Sequence, residues 1–74
     1  MAKNLFTAIL ERKGDEYVAL CPELDIVSQG KTVDEATTNL KEEVESFLES
    51  ADPAEIQRRL RYKILVTTFE ATHG

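Results

Sequence analysis

One stretch limits what this chain can become. Residues 30–50, GKTVDEATTNLKEEVESFLES, read as a single amphipathic helix with its start signal in place. Thr32 followed three residues later by Glu35 is a capping box: the hydroxyl takes the amide of Glu35, and that carboxylate returns to the amide of Thr32. The helix is expected to begin at Val33. At 100° per residue, Val33, Ala36, Leu40, Val44, Phe47 and Leu48 fall on one arc of about 120°, the width of a core-facing stripe. Asp34, Glu35, Glu42, Glu45 and Glu49 fall on the opposite arc. One face is built to be buried and the other is an acidic ridge.

The 74 residues leave room for one domain. A chain this short buries only about 60% of its unfolded surface, so a partner subunit is a common source of added stability. Its hydrophobic fraction of 42% with few Gly and Pro is that of a folded domain and not of a disordered tail. The formal charge of -5 is concentrated in the helix. Val33 to Ser50 holds six acids against Lys41, whereas the rest of the chain has eight of each sign. Such a surface repels a phosphate backbone and suits a basic protein partner. The bland alternative, a solvated helix face that keeps the chain soluble, accounts for the same charges.

The single cysteine, Cys21, excludes an internal disulfide and a thiolate zinc cluster, and its strand-like setting reads as a small buried apolar residue. No signal peptide or membrane span is legible, which points to a cytoplasmic protein.

In chain order, Leu5 to Glu11 is a strand candidate, Lys13-Gly14-Asp15 a turn, and Tyr17 to Cys21 a second strand, together a hairpin. Pro22 ends the ladder, so Cys21 to Asp25 is a loop. Ile26 to Gln29 extends as a third short strand. After the long helix, Asp52 caps a short one with Pro53 in its first position and Glu55 at a second capping-box spacing. Tyr62 to Ala71, rich in Ile, Val, Thr and Phe, then reads as a fourth strand. The result is a two-layer α+β domain, a mainly antiparallel sheet covered on one face by one long helix. Leu5 and Ile9, or their opposites, are left bare on the other face, and a dimer is the economical cover.

A catalytic parts list is missing. The carboxylates line the outside of a helix and do not converge in a cleft, and His73 sits near a chain end where nothing orients it. Metal ligation by Asp34, Glu35, Glu42 or Glu45 has no specific spacing behind it. The chain does not read as an enzyme, and no cofactor is expected. Arg58, Arg59, Arg61 and Lys63, with Tyr62 among them, could hold a single-stranded nucleic acid. Equally, they could neutralise the acidic helix or border a subunit interface.

At Tyr17 to Glu49 the sequence YVALCPELDIVSQGKTVDEATTNLKEEVESFLE resembles the signature of the HicB-like antitoxin family. The shared features are an aromatic strand, a Pro-Glu-Leu loop, Ser-Gln-Gly, a Thr cap followed by Asp-Glu-Ala, then Asn-Leu and an acidic helix. The resemblance implies a partial ribonuclease-H-like fold and a protein of a type II toxin-antitoxin module. Its partner would be a small basic mRNA-cleaving toxin, HicA-like, and it would assemble as a homodimer or larger oligomer. Many members carry a C-terminal DNA-binding domain, for which residues up to Gly74 leave no room, so autoregulation through DNA is not expected. The contacts expected to meet a partner are Glu23, Asp25, Ser28 and Gln29 of the loop and third strand, with Asp34, Glu42, Glu45 and Glu49 of the ridge. If no partner of this kind exists, a nucleic-acid-binding module or a homo-oligomeric structural domain remains.

Overall fold

The computed structural model describes residues 5–61 and 64–74. Three strands, β1 (Ile9–Lys13), β2 (Glu16–Cys21) and β3 (Ile26–Gly30), precede two helices, α1 (Val33–Ser50) and α2 (Pro53–Arg59). The strands form one antiparallel sheet in the order β1-β2-β3, and α1 lies across β3 and β2. The architecture is α+β.

Gly14 fixes the hairpin. Its φ of 61° lies in the left-handed region that a two-residue turn needs and that only Gly enters freely. The turn sets Lys13 opposite Glu16, and the register then runs Arg12 with Tyr17, Leu10 with Ala19 and Ile9 with Leu20. Pairing stops there, so β1 lies further along the chain than the expected Leu5 to Glu11. The reason is Pro22, which follows the last residue of β2 and has no amide to give a partner. Phe6 and Leu5 therefore precede the ladder, and Glu23 takes over the task of holding this segment. In the same loop Asp25 adopts φ 57°, a conformation that Asp tolerates better than most side chains.

The register divides the sheet into two unlike faces. Leu10, Tyr17, Ala19, Cys21, Ile26 and Ser28 share the helix side. There Ala19, Cys21, Leu24, Ala36, Leu40 and Val44 form the buried core, with Phe6, Leu10, Tyr17, Ile26, Phe47 and Leu48 packed around it. The expected helix stripe is borne out except at Val33, which is 45% exposed at the first turn. On the other side Ile9, Leu20 and Val27 form a cross-strand row, with Ile9 and Val27 exposed to solvent. One sheet face is bare, as a single covering helix requires.

Gly30 makes the close approach between sheet and helix possible. A Cβ there would lie 2.5 Å from the amide nitrogen of Ala36, well inside contact distance. The cap itself follows expectation in one half: Thr32 Oγ1 accepts the Glu35 amide at 3.0 Å. The returning Glu35 carboxylate takes the amide of Lys31 at 2.9 Å instead of that of Thr32. Asn39 closes the corner, donating its side-chain amide to the carbonyl of Gln29 at 2.9 Å.

Two expectations after α1 are corrected. Asp52 does cap α2, accepting the Ala54 amide at 2.8 Å, but Glu55 does not complete a capping box. It forms ion pairs with Arg58 at 2.7 Å and Arg59 at 3.0 Å. The fourth strand is absent over 64–71, and Tyr62 and Lys63 lie outside the described residues. Among the described residues no backbone hydrogen bond joins 64–74 to the sheet. High β propensity is not sufficient: a strand exists only where another strand accepts its ladder, and within one chain none does. Leu65 is 80% exposed and Phe69 87%.

Candidate functional site

The acidic ridge forms as the periodicity predicts. Asp34, Glu42, Glu45 and Glu49 are all exposed on α1. At 100° per residue they share one stripe, which extends about 22 Å along the axis at 1.5 Å per residue. Glu45 is 3.9 Å from Lys41, an exposed pair that water weakens. The other ridge acids make no ion pair among the described residues.

The loop candidates do not join the ridge as one cluster. Glu23 is half-buried and faces inward. Its Oε1 and Oε2 accept the amide of Thr7 at 3.0 and 3.1 Å, and Oε2 accepts the Thr7 hydroxyl at 2.6 Å. Partial burial raises the Glu23 carboxyl, but the bonds from the Thr7 hydroxyl and amide outweigh it and hold it below the ordinary carboxylate range. Cys21 lies 3.5 Å away and donates its thiol weakly to Oε1. Burial first, and then the neighbouring Glu23, push that thiol up, so it stays protonated. Asp25 is exposed beside this clasp. Ser28 lies on the helix side of the sheet, half-buried, while the Gln29 side chain is exposed and its carbonyl serves the corner with Asn39.

The basic run also separates. Arg59 turns inward: it donates to the carbonyl of Leu24, pairs with Glu55 and stacks 4.7 Å from the centre of the Phe47 ring. It therefore ties α2 to the β2–β3 loop and to the end of α1. Arg58 and Arg61 stay outside and line a shallow depression of about 300 Å³ with Gln57. Lys63 lies outside the described residues.

A larger cavity, about 590 Å³ and mainly apolar, opens beside the β1 side of the helix. Leu5 to Ala8 make one wall, Leu40, Val44 and Leu48 the other, and Cys21 lies between. Periodicity identifies the helical wall, but the other wall is held by Glu23 on Thr7 and by Phe6 against the core. No local spacing links Glu23 to Thr7. The Arg59 contact to Leu24 is equally remote in sequence, and only its pairing with Glu55, four residues earlier, could have been read.

Among the described residues no three His, Cys, Asp or Glu side chains converge as a metal site, and no helix is long and apolar enough to cross a membrane. The chain matches no family model, no curated protein and no solved structure.

Proposed function

We propose that this chain is an antitoxin-like protein of the HicB-like kind, which binds and neutralises a small basic mRNA-cleaving toxin, and that its fold is a partial ribonuclease-H-like domain. The observation that carries the reading is the exposed acidic stripe of α1, Asp34, Glu42, Glu45 and Glu49. An RNA-cleaving protein needs a basic surface to hold its substrate, and an acidic stripe of this length competes for that surface while steering the encounter. The residues of the family resemblance support it: Gln29, Gly30, Thr32, Glu35, Ala36 and Asn39 form one interlocked corner that holds the stripe at a defined angle to the sheet. The role is one of binding, without catalysis by this chain. Co-expression with the product of a neighbouring toxin-sized reading frame is expected to restore growth and yield a complex. Reversing Glu42 and Glu49 to Lys is expected to slow association roughly tenfold at low salt. Failure of both rescue and complex formation would remove the reading.

A second reading rests on Arg58 and Arg61, which share the exposed depression on α2. A nucleic-acid-binding module would show a salt-sensitive shift of a single-stranded RNA that weakens in Arg58→Gln and Arg61→Gln. No shift at low salt would exclude it.

A further inference from the structure

The arm 64–74 and the apolar cavity beside β1 are each incomplete in the same way. The arm, ILVTTFEATHG, carries strand-forming residues throughout its first half and is not a polar linker. In extended form its alternation puts Leu65, Thr67 and Phe69 on one face and Ile64, Val66 and Thr68 on the other. The cavity lies beside the segment that leads into β1, between residues 5–8 and α1. β1 is an edge strand whose outer backbone groups have no partner within the sheet, and α1 is seated over β3 and β2. Leu40 and Val44, at the margin of the core, and the half-buried Leu48 thus line one side of a gap whose other side is Leu5 to Ala8.

The arm does not fill the gap in its own molecule. The chain measures 49 × 27 × 18 Å with a radius of gyration of 14.4 Å, whereas a compact chain of this length has about 11 Å. An extended arm of this length reaches about 35 Å at 3.3 Å per residue, more than the width of the body.

We propose that the arm docks on a second copy of this chain, adding a fourth strand along the outer edge of β1 with Leu65 and Phe69 seated in the cavity against Leu40, Val44 and Leu48. The exchange is reciprocal. Each copy supplies one arm and one cavity, so a twofold axis closes the pair and leaves neither an open cavity nor a free arm. The backbone ladder supplies affinity by strand addition, and the two seated side chains set the register. Ile64 and Val66 then extend the row of Ile9, Leu20 and Val27 on the bare face. This assembly is independent of whether the acidic stripe meets a toxin.

Sedimentation equilibrium of the full chain tests it, beside a variant carrying Leu65→Asp and Phe69→Asp. The native chain is expected at twice the 8.3 kDa chain mass, and the variant at the single mass with an unchanged helical circular dichroism signal. Both side chains are exposed in the single molecule, so charge there does not disturb its own core. A native chain of single mass at high micromolar concentration overturns the proposal, and so does a variant that keeps the double mass. In a sample mixed from labelled and unlabelled chains, isotope-filtered NMR is expected to place the Phe69 ring near the Leu40 and Val44 methyls across molecules. Such contacts within one molecule would show instead that the arm folds onto its own chain.

Discussion

The corner formed by 29–40 and the arm 64–74 are both strongly patterned, yet they meet different fates. In the corner every signal is answered within ten residues: Thr32 finds Glu35, Gln29 finds Asn39, and Gly30 clears the way for Ala36. In the arm the signal is for a strand, and a strand requires a partner that sequence neighbours cannot supply. A helix satisfies its own backbone and a strand never does. The difference lies in where the hydrogen bonds must come from, not in how strong the local preference is.

The sharpest way to break this comparison is to make the same change in the folded body and in the arm. Leu24→Ala, at a fully buried position, is expected to cost about 3–4 kcal/mol in urea unfolding, because the loop and sheet around it cannot collapse into the space. A cost below about 1 kcal/mol would mean that the loop is not seated as described. Gly30→Ala comes next, at about 2–3 kcal/mol, since the added methyl meets backbone and not a flexible side-chain end. Thermal melting would reveal it as a lower midpoint, and a neutral result would mean that α1 stands further from β3.

Glu23→Gln is a smaller effect, about 1 kcal/mol for weakened charge-assisted bonds to Thr7. Its pH dependence is the more telling measurement. Because the folded carboxyl is held below its ordinary range, the clasp contributes fully above the unfolded value and is lost as pH falls through the lower folded value. The native chain should therefore lose more stability on acidification than the Gln variant, and parallel curves would contradict the clasp. Last is Leu65→Ala, expected to change the unfolding of the dilute single chain by less than about 0.5 kcal/mol. Repeated at rising protein concentration, the same comparison should grow, because mass action then counts the arm as part of a core.

Much of the fold was legible because its signals are local. The helix stripe, the Thr32 and Asp52 caps, the Gly14 turn and the pairing of the hairpin all rest on spacings of a few residues. What escaped rests on distance. The Thr7 to Glu23 clasp holds the segment ahead of β1, and Arg59, one of the four expected nucleic-acid contacts, is instead engaged by Leu24, Glu55 and Phe47. The ridge candidates Asp34, Glu42, Glu45 and Glu49 were readable as a group, since one helix carries them. Glu23, Asp25, Ser28 and Gln29 share a stretch of sequence but not a surface, because a loop entering a strand points successive side chains in different directions.

Arg59 has a consequence for kinetics. By gripping Leu24, Glu55 and the Phe47 ring at once, it fixes α2, the last helix before the arm, against the β2–β3 loop and α1. A tail that follows a hinged helix sweeps a wider volume than one that follows a helix held in place. Two molecules that approach in the right orientation then meet each other's tails at high local concentration, and once the first has engaged, the second searches a small volume. Loosening that helix with Arg59→Ala is equivalent to lengthening a tether: the endpoint of assembly stays the same, and the time taken to reach it grows.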